Sequence, residues 1–291
     1  MAATAREWIN GARPRTLTTA LAPVAVGTAS AGAVGGFRPG YALLALGVAL
    51  CLQVAANYAN DYSDGIRGTD VDRVGPERLV AAGKVRPSAV KRAAIAAFAA
   101  GSLLGLALTV LSDQWWLLGV GAAAIVAAWT YTGSRRPYGY LGWGEPSVFV
   151  FFGLVATLGT MFSQANRVTW WACAAAAGVG LHSVAMLLVN NIRDRESDAL
   201  AGKRTLAVKV GDRSARRLFA ACVTIPLVAS SAIAFARPWA LLTLLLLLPA
   251  ILTALAVVAG TRGRSLGVVF AAESALGLAY GVLLAGGIAL G

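Results

Sequence analysis

The sequence predicts an all-α, polytopic membrane protein that forms a single domain over residues 1–291. Of its 291 residues, 58% are hydrophobic and only 13% are charged, and the mean hydropathy is +0.69. Soluble chains carry about 25% charged residues, so an ordinary soluble domain is excluded. The net charge of +12 would suit a nucleic-acid partner only if it lay on one exposed surface. Because the basic residues lie between hydrophobic segments, we expect the lipid bilayer, and no nucleic acid, as the partner.

Nine stretches of the chain are long and apolar enough to cross a bilayer as helices, which requires about 20 residues at a rise of about 1.5 Å each. Tryptophans stand at several of their ends, where amphipathic rings favour the headgroup layer. The sequence therefore predicts nine transmembrane helices, over residues 16–34, 41–60, 89–111, 115–132, 147–162, 169–190, 215–234, 239–260 and 266–290.

The basic residues are distributed unevenly over the connections between these stretches. If the N-terminus is inside, all of the 25 Lys and Arg residues except Arg38, Arg167 and Arg237 lie on the cytoplasmic side. Since cytoplasmic loops retain Lys and Arg, the sequence predicts a protein of the cell inner (plasma) membrane with a cytoplasmic N-terminus and an external C-terminus. A cleaved signal peptide within residues 1–34 is the alternative for the first stretch, and it preserves the same loop assignment.

The first of two long polar segments covers residues 61–88 and begins within NYANDYSDGIRGTD. Four polar residues there are spaced i, i+3, i+4 and i+7, which places them on one face at the end of the second helix: Asn57, Asn60, Asp61 and Asp64. Asp70 and Asp72 follow in the loop, after Gly65 and Gly68 free the backbone to turn back. We therefore expect an acidic cluster at the cytoplasmic end of this helix.

The second polar segment covers residues 191–214 and begins within NNIRDRESDALAGKRTLAVKVG. Three polar residues recur at i, i+4 and i+8 on one face at the end of the sixth helix: Asn190, Asp194 and Asp198. Asn191 is close enough in angle to join them, whereas Arg193 and Arg195 are expected to point elsewhere. The two polar segments thus have the same layout on the same side of the membrane.

Carboxylates stacked on one helical face repel each other unless a cation lies among them, and clustered oxygen ligands suit Mg²⁺. Phosphate oxygens of a substrate commonly complete the coordination shell of Mg²⁺. Two acidic clusters beside Lys203 and Arg204 therefore predict a diphosphate held between them through Mg²⁺, with four metal ligands: Asp61, Asp64, Asp194 and Asp198. The alternative is that each cluster only solvates a loop end or pairs with neighbouring arginines, which two clusters on one side of the membrane disfavour.

The arrangement NDxxD at the end of the second helix and DxxxD at the end of the sixth is similar to that of the UbiA superfamily of intramembrane aromatic prenyltransferases. Within that superfamily, four segments resemble the branch of 1,4-dihydroxy-2-naphthoate polyprenyltransferases, and the likeness extends over most of the chain. The four segments are RPRTLTTALAPVAVGTA, NYANDYSDGIRGTD, YTGSRRPYGYLGWGEPSVFVFFG and NNIRDRESDALAGKRTLAVKVG.

The resemblance implies a Mg²⁺-dependent transfer of a polyprenyl group from polyprenyl diphosphate to 1,4-dihydroxy-2-naphthoate, with loss of CO₂ and pyrophosphate, giving demethylmenaquinol for menaquinone synthesis. It assigns the catalytic motifs to Asn57, Asp61, Asp64, Asp194 and Asp198. One departure is that Gly68 stands where the wider superfamily often has a third acid, and the next acid is Asp70. Substrate binding is expected from the neighbouring polar and basic side chains: Asn60, Asn190, Asn191, Arg67, Lys203 and Arg204.

A short cytoplasmic loop carries Arg135, Arg136 and Tyr138 together with Pro137 and Gly139. Such a turn can close over the aromatic acceptor, and arginine can hold a carboxylate as a bidentate pair. The alternative is that the two arginines reflect only the positive-inside bias.

Other interpretations stay open at this stage. The acidic motifs do not distinguish the naphthoate from 4-hydroxybenzoate, homogentisate, a chlorophyllide or a haem as acceptor. A secondary transporter of an anionic solute would place ionisable groups near the midplane, whereas here the acids lie at helix ends on one side. Inside the spans, His182 and Glu273 are either functional groups or hydrogen-bonded packing partners.

Overall fold

A computed structural model of the chain describes residues 3–69 and 77–291. Asp70 and Asp72 lie outside the described residues. Every regular element within these ranges is helical, so the prediction of an all-α protein is confirmed. In chain order the α-helices are α1 (Ala5–Ala12), α2 (Thr18–Gly32), α3 (Pro39–Arg67), α4 (Pro87–Ser112), α5 (Leu117–Gly133), α6 (Gly144–Val148), α7 (Ala156–Ala165), α8 (Trp170–Arg193), α9 (Arg195–Leu200), α10 (Leu206–Val210), α11 (Asp212–Ile233), α12 (Leu247–Val258) and α13 (Ser265–Leu290).

Seven helical segments among the described residues are long and apolar enough to cross a membrane. Two of them are composite: a π-helix at Phe149–Val155 joins α6 to α7, and a 3₁₀ segment at Pro238–Leu246 leads into α12. We call the first composite segment, Gly144–Ala165, the fifth span. The seven segments are Pro39–Arg67, Pro87–Ser112, Gly144–Ala165, Trp170–Arg193, Asp212–Ile233, Pro238–Val258 and Ser265–Leu290.

The first and fourth predicted spans correspond to the shorter helices α2 and α5. They contain 15 and 17 residues, which is less than the roughly 20 residues that cross the apolar core of a bilayer without help. Pro23 lies inside α2, and a 3₁₀ turn at Pro14–Thr16 precedes this helix. Within its described residues the helical bundle thus has seven full-length candidate spans, the shorter apolar helix α5 and the short helix α2.

The polar segments begin as continuations of the spans. α3 runs without a break to Arg67 and ends at Gly68, whose φ of 70° suits a residue without a side chain. The first acidic motif therefore lies inside a helix. Similarly, α8 continues to Arg193, and the short helices α9 and α10 occupy much of the polar segment beyond it. Both acidic motifs are thus held on rigid helical backbone at one end of the bundle.

α8 lies at the centre of the bundle, where it packs against α2, α11, α13 and the π-helix. Gly153 in the π-helix faces Gly180 in α8 so closely that a Cβ on Gly153 would lie 2.5 Å from the Gly180 Cα. Small residues allow two membrane helices to approach in this way. The wide π-helical turn is thereby fixed against α8, with Phe151 and Phe152 on the wall of a neighbouring cavity.

The N-terminal helix α1 packs across the end of α3. The rings of Trp8 and Tyr58 meet edge to face with centroids 5.7 Å apart, and Lys84 Nζ lies 3.3 Å from Glu7 Oε1. These contacts position the segment 12–16 beside the first acidic motif.

His182 and Glu273 pair with each other between α8 and α13. His182 Nδ1 lies 2.8 Å from Glu273 Oε1, and both side chains are buried. Neither residue lines the cavity that contains the motif asparagines. Of the two interpretations of these intramembrane residues, the geometry supports a packing pair between helices.

Candidate active site

A large cavity opens between α2, α3, α4, α5, the fifth span and α8. Its volume is about 720 Å³, within the range of about 300–1,000 Å³ that small-molecule sites occupy. Along α3 the cavity extends from Ala45 to Asn60, about 22 Å at about 1.5 Å per residue. Its wall is mainly apolar, and a group of polar side chains lies near the Asn60 end: Arg13, Thr16, Gln53, Asn57, Tyr131 and Asn190.

Asn57 joins α3 to the segment that precedes α2. Its Nδ2 donates to the carbonyl of Ala12 and to Thr16 Oγ1, both at 2.9 Å. Its own carbonyl accepts from Arg13 Nη2 at 3.4 Å. These bonds hold Arg13 at the polar end of the cavity, where sequence reasoning had assigned no residue of this segment.

Asp61 binds the turn that follows the undescribed residues. Its two carboxylate oxygens accept hydrogen bonds from the backbone N–H groups of Leu79 and Val80, at 2.9 and 3.0 Å. The side chain is 1% exposed. The structure therefore places Asp61 as an organiser of the loop, and its part in metal binding stays a prediction.

Lys203 lies between the two acidic motifs. Its Nζ is 3.7 Å from Asp64 Oδ2 and 3.8 Å from Asp198 Oδ1. The lysine is only 7% exposed, and charges are attracted more strongly where water is excluded. The structure thus brings one carboxylate of each motif to the same cation, although more than a hundred residues separate them along the chain.

Tyr140 fixes the orientation of the Asp64 carboxylate. Its hydroxyl donates a short hydrogen bond to Asp64 Oδ1, which leaves Oδ2 facing Lys203. Burial, followed by the negative charge of Asp64, raises the pKa of Tyr140. The tyrosine therefore stays protonated near neutral pH and keeps its role as a hydrogen-bond donor.

Asp194 lies at the break between α8 and α9. Its carboxylate accepts two hydrogen bonds from Arg193, from Nε at 2.7 Å and from Nη2 at 2.8 Å. The expectation that Arg193 points elsewhere is wrong, because α8 ends at this residue and its side chain folds over the following one. Arg195 does point away from the motif, and its Nε lies 3.8 Å from Asp212 Oδ1.

The three asparagines beside the motifs have different surroundings. Asn60 and Asn190 both line the cavity, and Asn60 Oδ1 accepts from Thr132 Oγ1 at 2.8 Å. Asn191 instead donates to Glu145 Oε1 at 2.8 Å, and this carboxylate is buried at the start of the fifth span. Asn60 and Asn190 are therefore accessible to a ligand in the cavity, whereas Asn191 is held behind its wall.

The arginines predicted to bind substrate lie outside the cavity lining. Arg67 donates to the carbonyls of Thr132 and Ser134, where its charge complements the C-terminal end of α5. Three others have exposed side chains: Arg135, Arg136 and Arg204. Tyr138 from the same loop does line the cavity. Of the four arginines that the sequence suggested for substrate binding, one thus binds helix-end carbonyls and three are exposed to solvent. Their roles in substrate binding stay predictions.

Tyr131 is a cavity residue that sequence reasoning did not select. A Cβ on Gly139 would lie 2.8 Å from the Tyr131 carbonyl oxygen, and one on Gly144 would lie 3.0 Å from the Tyr131 hydroxyl. The two glycines therefore leave just enough room for the tyrosine. Their presence among the four glycines of YTGSRRPYGYLGWGE is the signal that could have indicated a side chain packed closely against this loop.

The aspartate carboxylates can bind Mg²⁺ only if a substrate contributes further oxygen ligands. Among the described residues, no group of three or more Asp, Glu, His or Cys side chains lies close enough together to hold a metal ion alone. Mg²⁺ is usually bound through one or two carboxylates plus phosphate oxygens and water. Asp64 and Asp198, which approach one cation from two sides, meet that requirement.

Comparison with known proteins places this architecture in a family. The model of the UbiA prenyltransferase family matches residues 20–289. A 1,4-dihydroxy-2-naphthoate octaprenyltransferase of Mycobacterium tuberculosis is 46% identical over 285 residues, covering 98% of this chain and 97% of that protein. A protein of the same name from Escherichia coli is 42% identical over 219 residues, covering 73% of this chain and 71% of that protein.

Solved structures show the same fold. A UbiA homolog from Archaeoglobus fulgidus bound to DMAPP and Mg²⁺ has a TM-score of 0.61 at 16% identity, over 96% of this chain and 99% of that chain. The same homolog bound to GPP and Mg²⁺ has a TM-score of 0.62 at 17% identity, over the same shares. The sequence resemblance is therefore confirmed, and the chain belongs to the UbiA prenyltransferase family.

Proposed function

We propose that this protein transfers a polyprenyl group from a polyprenyl diphosphate to 1,4-dihydroxy-2-naphthoate, releasing pyrophosphate and CO₂ and giving demethylmenaquinol for menaquinone synthesis. The observation that carries the proposal is the meeting of the two acidic motifs at Lys203, beside the polar end of a long apolar cavity. The charged end suits a diphosphate, and the apolar wall suits an isoprenoid tail. The names of the M. tuberculosis and E. coli relatives support the naphthoate as acceptor.

The residues at the mouth act on the diphosphate. Mg²⁺, which Asp64 and Asp198 would hold together with Asp61 and Asp194, supplies positive charge against the departing pyrophosphate. Lys203 adds a charge-assisted hydrogen bond to a phosphate oxygen. Asn60 and Asn190 donate through their amides from the adjoining cavity wall, which orients the allylic carbon toward the acceptor.

The apolar wall of the cavity protects the reacting carbon. As the bond from the allylic carbon to the diphosphate oxygen breaks, pyrophosphate leaves with the bonding electrons. Because few polar groups and little water reach the deeper wall, the resulting allylic cation is captured by the electron-rich ring. With the new bond at the ring carbon that bears the carboxylate, the bond from this ring carbon to the carboxylate carbon then breaks, CO₂ departs, and the electron pair restores the aromatic ring.

The proposal is tested by incubating the purified protein with a long-chain polyprenyl diphosphate, Mg²⁺ and a panel of aromatic acids, followed by mass analysis. We expect a prenylated, decarboxylated product from the naphthoate alone. Prenylation of 4-hydroxybenzoate or homogentisate instead would reassign the acceptor. The absence of a product from every acid would reject the proposal.

We predict that Arg13 holds the carboxylate of the acceptor. Its side chain lines the cavity, whereas Arg136, the earlier candidate, is exposed. A charged hydrogen-bond pair contributes about 1.5–3 kcal/mol, so Arg13→Ala should raise the KM for the naphthoate roughly 10- to 100-fold. Lost ground-state binding leaves the KM for the diphosphate nearly unchanged. Steady-state kinetics with each substrate varied in turn measures both values.

Arg136→Ala is the matched control for Arg13→Ala. It removes an arginine at the same end of the bundle without touching the cavity lining, so both KM values should stay within about twofold of the wild type. The reverse pattern, with a naphthoate defect only in Arg136→Ala, would return the acceptor site to the loop of Arg135 and Arg136.

We also propose nine spans, with α2 and α5 crossing the membrane, the N-terminus and both acidic motifs in the cytoplasm, and the C-terminus outside. The charge bias of the loops supports this orientation. In a variant without Cys51, Cys173 and Cys222, Lys84→Cys should react with a membrane-impermeant thiol reagent only after lysis of the cells. Arg167→Cys should react in intact cells. The opposite pattern would overturn the topology.

A further inference from the structure

The acceptor ring must act as a strong nucleophile in the proposed reaction, and this depends on the ring hydroxyl beside the reacting carbon. That hydroxyl donates electrons most strongly after it has lost its proton, but phenolic groups have a pKa of about 10 and stay protonated at neutral pH. A positioned base contributes about 10²- to 10⁴-fold to such a proton transfer. The cavity therefore needs a group that can take this proton.

No carboxylate or imidazole lies on the cavity wall in the described part of the chain. The ionisable side chains of the wall there are Arg13, Tyr131 and Tyr138. Arginine is a donor only. The Tyr138 hydroxyl is already bonded, since it donates to the Ala127 carbonyl at 2.9 Å and lies 2.8 Å from Ser147 Oγ. Of these three side chains, Tyr131 is therefore the one that can serve the ring hydroxyl.

The Tyr131 hydroxyl lies beside a buried carboxylate. No other residue in the described ranges hydrogen-bonds to this hydroxyl. It lies so close to Gly144 that a Cβ there would be 3.0 Å away, and the next residue along the chain is Glu145. Of the carboxylates that act electrostatically on the hydroxyl, that of Glu145 has the largest effect. Tyr131 thus links the cavity to Glu145.

Glu145 has an unused hydrogen-bond acceptor. The residue is 3% exposed, and its Oε1 accepts from Asn191 Nδ2 at 2.8 Å. Its Oε2 is buried and has no hydrogen-bond partner among the described residues. Burying a carboxylate oxygen in this way is costly, so a partner that is present only during the reaction would explain it. A proton that arrives through Tyr131 is such a partner.

The other ionisable groups around these two side chains do not compete for the proton. Those that act on them are Tyr138, Asp64 and Asp198 at the tyrosine and Cys222 at the glutamate. The two aspartates approach Lys203 from either side. The thiol of a cysteine carries its own proton at neutral pH. Glu145 is therefore the carboxylate that is placed to receive a proton from Tyr131.

We propose that Tyr131 and Glu145 form a proton relay, in which the Tyr131 hydroxyl contacts the ring hydroxyl of the acceptor and Glu145 Oε2 takes the proton that arrives through it. The ring O–H bond breaks as its proton passes to the Tyr131 oxygen, and the original hydroxyl proton of Tyr131 passes to Oε2. The ring oxygen becomes a carbonyl while the ring carbon bonds to the allylic carbon. Pyrophosphate leaves with the electron pair of the broken C–O bond.

Loss of CO₂ returns the proton. When the bond from the ring carbon to the carboxylate carbon breaks, its electron pair restores the aromatic ring and turns the ring carbonyl into an oxyanion. This oxygen takes the proton back from Glu145 through Tyr131. The glutamate is a carboxylate again at the end of each cycle, so no other base is consumed. The relay rests on the proposed function, since it activates the same acceptor.

Glu145→Gln and Tyr131→Phe test the relay. Glutamine keeps the bond from Asn191 but cannot take the proton, and phenylalanine keeps the ring but not the hydroxyl. With the naphthoate and a polyprenyl diphosphate both saturating, kcat is measured without oxygen between about pH 7 and pH 9.5. At pH 7 each variant should lose roughly 10²- to 10⁴-fold in kcat. The KM for the diphosphate should stay within about threefold of the wild type, which shows that the variants are folded.

The pH profile separates the relay from a structural role. As the pH approaches the pKa of the ring hydroxyl, the acceptor ionises without help, so the kcat of each variant should recover toward the wild-type value by up to about tenfold per pH unit. Because the two residues act as one unit, the double variant should lie within about threefold of the more affected single variant.

Glu273→Gln is the matched control. Glu273 is also buried, with Oε1 2.8 Å from His182 Nδ1 and Oε2 without a hydrogen-bond partner among the described residues, but its partner does not line the cavity. Its kcat should stay within about threefold of the wild type at every pH. Recovery with rising pH in this variant would show that the effect belongs to buried carboxylates in general, and the relay would be wrong.

The remaining outcomes distinguish the relay from the proposed function. If the wild type transfers no prenyl group to the naphthoate, the proposed function fails. If the wild type is active, the relay is wrong in each of three cases: both variants keep the wild-type kcat at pH 7, their defect is the same at every pH, or the defects of the two single variants multiply in the double variant.

Discussion

Replacing Asp64 or Asp198 with asparagine is expected to lower kcat by roughly 10²- to 10³-fold, the usual cost of removing one electrostatic contact to a transition state. Asparagine keeps the shape of each side chain but removes its charge. The two carboxylates approach Lys203 Nζ at 3.7 and 3.8 Å from opposite motifs, so each variant weakens the cation site from one side. Steady-state kinetics at saturating concentrations of both substrates measures the effect.

Asp212→Asn is the matched control for these variants. Asp212 belongs to the same end of the bundle, but its carboxylate accepts from Arg216 Nε at 2.8 Å and does not contact Lys203. Its loss should change kcat less than about threefold, since partly exposed ion pairs contribute little. Because ionisation of the diphosphate precedes attack by any acceptor, the defect of Asp64→Asn should be the same for every acceptor used. A defect confined to one acceptor would move Asp64 to the acceptor site.

Much of the fold follows from the sequence because the bilayer permits few alternatives. A backbone in lipid must satisfy its own hydrogen bonds, so long apolar runs become helices, and all nine predicted stretches contain helix. The details of the helices depend on packing between them, and the sequence of a single apolar run does not reveal that packing. The π-helix at Phe149–Val155 carries the contact between Gly153 and Gly180, and this contact joins segments that hydrophobic periodicity treats as independent.

For the candidate site, the sequence predicts which residues share one face of a single helix. The helical period of 3.6 residues correctly places Asn57, Asp61 and Asp64 on one face of α3. It does not reveal the partner that each side chain takes across the bundle. For example, Asp61 accepts hydrogen bonds from the backbone of Leu79 and Val80. These are tertiary contacts, which form only when the chain folds.

The same limit applies to Arg13, a cavity residue that the sequence did not indicate. Arg13 lies far from both motifs in sequence, but α1 and Asn57 place it on the cavity wall. Arg135 and Arg136 follow α5 directly and are exposed, as the positive-inside bias alone would produce. Which of these arginines binds the acceptor stays a prediction, and Arg13→Ala and Arg136→Ala test it.

Chelation of divalent cations is expected to abolish turnover, and added Mg²⁺ to restore it. The four carboxylates of the two motifs would otherwise stand beside a diphosphate with too little compensating charge, since Lys203 and Arg193 each carry only one positive charge. The measurement is product formation in EDTA and after addition of excess Mg²⁺, with recovery showing that the protein stayed folded. Full activity in metal-free buffer would contradict the metal assignment of all four aspartates.

The Mg²⁺ concentration that gives half-maximal activity separates a metal ligand from a residue that acts only through Lys203. Asp198→Asn removes charge from the metal site, so this variant should need roughly 10-fold more Mg²⁺ than the wild type, as expected when a charged contact worth about 1.5 kcal/mol or more is lost. Asp212→Asn should be activated at the wild-type concentration. If Asp198→Asn is also activated at that concentration and only its kcat falls, the carboxylate orients Lys203 and does not bind the metal.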